Sequence, residues 1–76
     1  MSLLMFYEYL SKVERLLEEN NEVELHVYLE DMHAADIAEV LENLEDDQQE
    51  IVFGLLSTEK ATEVLEEINS EQFSDI

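Results

Sequence analysis

The chain reads as an all-α protein of stacked helical hairpin repeats, and three observations carry that reading. Residues 33–52 and 57–76 are two versions of one unit. His33-Ala-Ala-Asp-Ile-Ala-Glu-Val-Leu-Glu-Asn-Leu-Glu-Asp-Asp-Gln is followed, about 24 residues on, by Ser57-Thr-Glu-Lys-Ala-Thr-Glu-Val-Leu-Glu-Glu-Ile-Asn-Ser-Glu-Gln. A fixed period of that size marks a solenoid, whose units are too small to bury an apolar stripe alone and bury it against the next unit. Apolar residues elsewhere recur at three- and four-residue steps, which line one face of a helix. With no proline and a single glycine, little interrupts helix formation. The expectation is one domain over residues 1–76 with five helices and an incomplete sixth.

The first helix is expected from about Ser2 to Glu19, because Leu3, Phe6, Leu10, Val13 and Leu17, with Leu16 beside it, follow helical spacing while Glu8, Glu14 and Glu18 fall off the stripe. Asn20-Asn21 interrupts, and Asn21 with Glu24 three residues on approximates a capping box. A short second helix to about Asp31 is expected to bury Val23, Val27 or Tyr28, and Leu29. The third begins near His33, carries Asp36 in its first turn where a negative charge suits the helix dipole, and continues to Leu44 with Ile37, Val40, Leu41 and Leu44 inside. Glu45-Asp46-Asp47 caps a fourth helix, and its run of Ile51, Val52, Phe53, Leu55 and Leu56 is dense enough to suggest the buried centre. Ser57 or Thr58 caps a fifth, where Ala61, Val64, Leu65 and Ile68 repeat the third helix's pattern. Ser70 and Phe73 would open the sixth. The inner face is thus assigned to Leu10, Leu17, Leu29, Ile37, Leu41, Val52, Leu56, Val64 and Leu65. Because the last unit is unfinished, the chain reads as a fragment of a longer domain. Its Ile68, Phe73 and Ile76 stand where a following helix or a second copy in a homodimer would cover them.

Composition narrows the function. Twenty-one acidic residues against three basic ones give a formal net charge of -18 over 76 residues. Nucleic-acid affinity comes from Lys and Arg at phosphates, and only Lys12, Arg15 and Lys60 are present, so nucleic acid is excluded as a ligand and anionic membrane surfaces are disfavoured. High charge does not here mean disorder, since 46% of residues are hydrophobic and placed at helical spacing. The absence of cysteine excludes a disulfide framework and thiolate metal sites and fits a reducing compartment. The longest uncharged runs, Met1–Tyr7 and Ile51–Thr58, are far short of the roughly 20 residues that span a bilayer. Direct membrane insertion by this segment is not expected.

Nothing has the form of a catalytic centre: there is no Gly-rich phosphate loop and no His-Glu-x-x-His pattern. The chain is expected not to be an enzyme. His26 and His33 lie across a helix break, which speaks against a shared metal site, and His33 falls where a cap belongs. A calcium loop of the EF-hand type fails, because neither Glu18–Glu24 nor Glu45–Glu50 supplies the alternating ligands, central Gly and final Glu. Magnesium asks less, since it keeps several waters and is often held by one or two carboxylates. The repeat puts Glu39 and Glu42 in register with Glu63 and Glu66, so stacking would lay two carboxylate pairs along one acidic ridge. These four are the candidate metal-facing residues, with a purely solvated acidic face as the simpler alternative.

Leu29-Glu-Asp-Met-His33-Ala-Ala-Asp36-Ile-Ala-Glu39-Val-Leu-Glu-Asn-Leu44, followed by Leu55-Leu-Ser-Thr-Glu59-Lys-Ala61-Thr-Glu63-Val-Leu-Glu-Glu-Ile68, resembles the cytoplasmic N-terminal domain of MgtE-type magnesium transporters. That family's pattern is a His-Pro-x-Asp helix start, an acidic-hydrophobic helix and a Leu-Pro-x-x-Lys-Ala-x-Glu-Val-Leu unit, and the resemblance covers about residues 16–76. Two positions depart from it: Ala34 replaces the proline after His33, and Ser57-Thr58 stands where prolines are common. Both touch helix starts rather than acidic positions. The resemblance implies a right-handed helical superhelix on the cytoplasmic side of a transporter, preceding a pair of CBS domains, a connecting helix and a transmembrane pore. It also implies weak, regulatory Mg2+ as the ligand, the CBS domains of the same full-length protein as partner, and Glu63 at the interface where divalent cations screen facing carboxylates. Flagellar motor switch proteins share similar helical repeats, which leaves a protein-interaction scaffold of that type as the alternative.

Overall fold

The structure, a computed structural model, describes the backbone of residues 2–74 and the side chains of residues 2–69. Those residues form five α-helices in chain order: α1 Leu3–Glu18, α2 Glu22–Asp31, α3 Ala34–Glu42, α4 Asp46–Leu55 and α5 Thr58–Ser74. No strand occurs among the described residues.

Each boundary has a local chemical cause. Ser2 caps α1 through a hydrogen bond from the Met5 backbone N–H to Oγ (3.2 Å). At the other end Asn20 takes φ 56°, the left-handed conformation that ends helices and that asparagine tolerates better than most residues. The Asn20 N–H then donates to Leu17 O and the Asn21 N–H to Leu16 O, both at 3.1 Å, which together make a Schellman motif. Asn21 caps α2 by accepting from the Glu24 N–H at 3.3 Å, and its amide donates to the Glu24 carboxylate at 2.8 Å. Glu45 starts α4 with its N–H donating to Gln48 Oε1 (3.0 Å). Ser57 Oγ accepts from the Lys60 N–H (3.1 Å) at the head of α5. His33 occupies the N-cap position of α3 but makes no side-chain capping bond. Its carbonyl alone serves, accepting from Asp36 and Ile37.

The core is centred on α3, which packs against α1 and α5, while α2 joins α1 to α4. Ala34, Ile37, Ala38, Val40 and Leu41 of α3 are all buried, and the two alanines let neighbouring helices approach closely. Val13, Leu16, Leu25, Leu29, Met32, Leu44, Val52, Leu56 and Val64 complete the cluster. Leu29, Ile37, Leu41, Val52, Leu56 and Val64 lie inside as expected, whereas Leu10 and Leu17 pack on the border of the core.

Four expectations need correction. In α2 the inward stripe is Leu25 and Leu29, continued by Met32, while Val23 and Val27 are exposed. Both stripes have i, i+4 spacing, so the period cannot choose between them; contact with α1 and α4 does. Next, α4 is not the centre, since only its Val52 is buried. An apolar run four or five residues long covers every side of a helix, and α4 has neighbours on part of its circumference only. Leu65 is 47% exposed and is not part of the core. Finally, no sixth helix starts at Ser70, because α5 runs through that position to Ser74.

The last correction has a chemical reason in the repeat itself. Where α3 ends, the Asn43 amide donates to Glu39 O (2.9 Å), and Gln49 Nε2 donates to Leu41 O (2.6 Å) and Leu44 O (3.2 Å), so the orphan carbonyls of that helix end are satisfied. In the second copy Glu67 replaces Asn43 and Phe73 replaces Gln49, so a good helix former and a side chain without a donor stand where the stop signals were. The side chains of Phe73 and Ile76, expected at an uncovered edge, lie outside the described residues.

Candidate functional site

The repeated tetrapeptide Glu-Val-Leu-Glu sets the acidic face. Val40 and Val64 are both fully buried, and this fixes the rotation of α3 and α5. Glu39 and Glu42 consequently face outward one turn apart on α3, and Glu63 and Glu66 do the same on α5; all four are exposed. They do not share one environment. Glu39 borders a shallow hollow with Ser2, Leu3 and Phe6 at the start of α1, and Glu42 borders a groove over α4 and α5. Glu63 and Glu66 line neither. Among the described residues no three His, Cys, Asp or Glu side chains come together in a way that could hold a metal ion. An ion at either pair would complete its shell with water or with oxygens from elsewhere.

A second polar constellation, not anticipated from the sequence, ties α2 to the junction of α4 and α5. His26 Nδ1–H donates to Leu55 O at 2.6 Å, the Ser57 N–H donates to Glu30 Oε2 at 3.1 Å, and Lys60 Nζ donates to Met32 O at 2.9 Å. The bond from the Ser57 N–H holds the Glu30 carboxyl below its ordinary pKa, helped by His26 and Lys60 and opposed by partial desolvation. His26, Glu30 and Lys60 thus satisfy backbone groups at helix ends, where capping groups are needed. The only sequence signal was the placement of one acid and one base beside predicted breaks. Lys60, the lysine of the Lys-Ala-x-Glu-Val-Leu unit, is therefore architectural here: it joins α5 to the end of α2. Elsewhere on α2, Lys12 of α1 lies 5.5 Å from the Tyr28 ring centroid and 3.8 Å from Glu24. Tyr9 meets Tyr28 edge-on. Burial raises the Tyr28 hydroxyl pKa, with Tyr9 and Glu8 adding to the effect.

An open groove of about 950 Å³ lies between the end of α3, α4 and α5, with Leu41, Phe53, Gly54, Leu65 and Ile68 on its floor. Among the described residues that line it there is no histidine, serine, threonine or cysteine. No described helix is long and apolar enough to cross a membrane.

Neither a curated protein nor a solved structure matches the chain. The family described as the MgtE intracellular N domain does match, over residues 32–76, beginning at the end of α2 rather than near residue 16. That stretch contains α3, α4, α5, the repeated tetrapeptide and Lys60, and it is more than half of the sequence. The chain belongs to the MgtE intracellular N domain family, whose members are regulatory domains of magnesium transporters.

Proposed function

We propose that this domain is the cytoplasmic Mg2+-sensing module of a magnesium transporter, and that it gates by the cation-screened approach of its acidic face to CBS domains of the same full-length protein. Membership of the MgtE intracellular N domain family carries the reading. Electrostatics supports it: a chain of net charge -18 repels any second acidic surface, and the repulsion is relieved when cations sit between the two. Two carboxylates one turn apart also suit Mg2+, which keeps most of its waters. In this proposal Glu63 and Glu66 of α5, with Glu39 and Glu42 of α3, are the carboxylates that Mg2+ screens. A high Mg2+ concentration favours the closed arrangement, and depletion lets the surfaces part.

In the isolated domain the effect is expected to be weak, because half of the proposed site belongs to the facing partner. For a millimolar site at ~10 mM Mg2+ the stabilisation is about 1.4 kcal/mol. Monovalent salt also screens the self-repulsion, so the informative measurement compares melting temperature in MgCl2 and in NaCl at matched ionic strength, for the wild type and for Glu63→Gln. The expected result is an excess Mg2+ effect that Glu63→Gln removes. Identical shifts from the two salts would leave the carboxylates of this domain as a solvated face.

A further inference from the structure

We infer that the groove between α4 and α5 is a docking site for a basic amphipathic helix. Its floor is apolar, made by Leu41, Phe53, Leu65 and Ile68, and the charged groups along its edges are all acidic: Glu42, Asp46 and Glu50. Among the described residues no lysine or arginine lines it. The groove is open along its length, so a small molecule lying in it would keep much of its surface in water, whereas bound small ligands are usually mostly enclosed. A helix laid lengthwise would bury an apolar stripe on the floor and present flanking residues to both edges. Charge then selects the class of helix. Lysine or arginine beside the stripe would meet carboxylates, and a stripe flanked by acids would meet repulsion. The same argument disfavours a second copy of this chain, which brings a net charge of -18 with it.

Gly54 supplies an independent observation. It lies within α4 with no positive φ, so the backbone does not require glycine there. A Cβ built on it meets nothing within 4 Å, so internal packing does not require it either. Glycine in a helix is less favourable than alanine, and its one structural yield at this position is a floor low enough for another backbone to come close. The groove shares Glu42 with the carboxylates assigned to Mg2+, but the pair on α5 lies off its floor. Glu63 is two residues from Leu65, roughly 200° round the helix.

The test uses three synthetic peptides labelled with a fluorophore and followed by anisotropy, with amide shifts recorded on the labelled domain. The first is helical with a Leu/Phe stripe flanked by lysines. The second has the same stripe flanked by glutamates, and the third is the lysine peptide with its stripe scrambled. The lysine-flanked helix is expected to bind at least tenfold more tightly than either control and to shift Gly54, Leu65 and their neighbours. Gly54→Leu fills the floor without touching the core, so it is expected to melt no lower than the wild type and to lose at least tenfold in affinity for the first peptide. Equal binding of the scrambled peptide would reduce the interaction to general attraction by an acidic chain and overturn the proposal. Unchanged affinity in Gly54→Leu would overturn it as well. A dimer seen by sedimentation, abolished by Gly54→Leu and displacing the peptide, would assign the groove to a second copy instead.

Discussion

Helices α3 and α5 carry the same tetrapeptide in the same register, yet the protein treats the two copies differently. Val40 and Val64 are both 0% exposed, whereas Leu41 is 6% exposed and Leu65 47%. Both valines belong to the buried core, and α3 packs against α5. The leucines face the next position round the helix. Both border the groove over α4 and α5, Leu41 as a buried residue beneath it and Leu65 as a half-exposed one. A sequence repeat therefore fixes the rotation of a helix but not its burial, because burial belongs to the neighbour and each copy of a repeat has different neighbours.

The most direct way to break this comparison is to truncate both leucines. Leu41→Ala is expected to cost about 2–5 kcal/mol, the range for a buried leucine, which is a large part of what so small a domain has. Leu65→Ala, half solvated, is expected to cost about 1 kcal/mol or less. Thermal or urea melts of the two variants decide it. Equal losses would mean that Leu65 is covered in solution and that the contrast between the copies is false.

A smaller effect tests why the copies diverge. The turn after α3 rests on Gln49, whose amide bridges the carbonyls of Leu41 and Leu44, and the corresponding position in the second copy is Phe73. Gln49→Ala leaves two helix-end carbonyls without that partner and is expected to cost about 1–2 kcal/mol. Hydrogen exchange should show residues 43–46 opening ahead of the rest of the domain. An unchanged midpoint, with normal protection of those amides, would show that Asn43 and Gln48 hold the turn by themselves.

What the sequence made legible follows the same division between local and neighbour-dependent information. Helix existence, the α2 cap at Asn21 and the α5 cap at Ser57 or Thr58 are set by residues a few positions apart, and spacing exposes them. The inward stripe of α2 was not legible, because Leu25/Leu29 and Val23/Val27 obey the same period and only contact with α1 and α4 separates them. The apolar density of α4 misled for a related reason, since a continuous run says that a helix is greasy and not which side is covered. At the candidate site, the outward placement of Glu39, Glu42, Glu63 and Glu66 followed from the repeat. The bonds of His26, Glu30 and Lys60 did not, because they join residues nearly thirty positions apart through backbone atoms that look alike in every sequence.

The starts of the two helices extend the comparison and give the subtlest test. His33 and Ser57 hold equivalent positions, but His33 makes no side-chain cap, while Ser57 caps α5 and has its own N–H bonded to Glu30. That bond lowers the Glu30 pKa in the folded state. A carboxyl with a lowered folded pKa contributes stability that is present above its unfolded value, ordinarily about 4.3, and that is lost as pH falls through the folded value. The group is partly solvated, so the contribution is at most about 1 kcal/mol. It cannot be read from the wild type alone, because acidification also discharges the other carboxylates of a chain at -18 and relieves their repulsion. The difference between wild type and Glu30→Gln removes that shared background. The wild type is expected to melt higher at pH 7, and the gap should close as pH falls into and below the carboxylate range. A gap that stays constant across that range would mean that the charge of Glu30 contributes nothing and that only the shape of the bond to Ser57 matters.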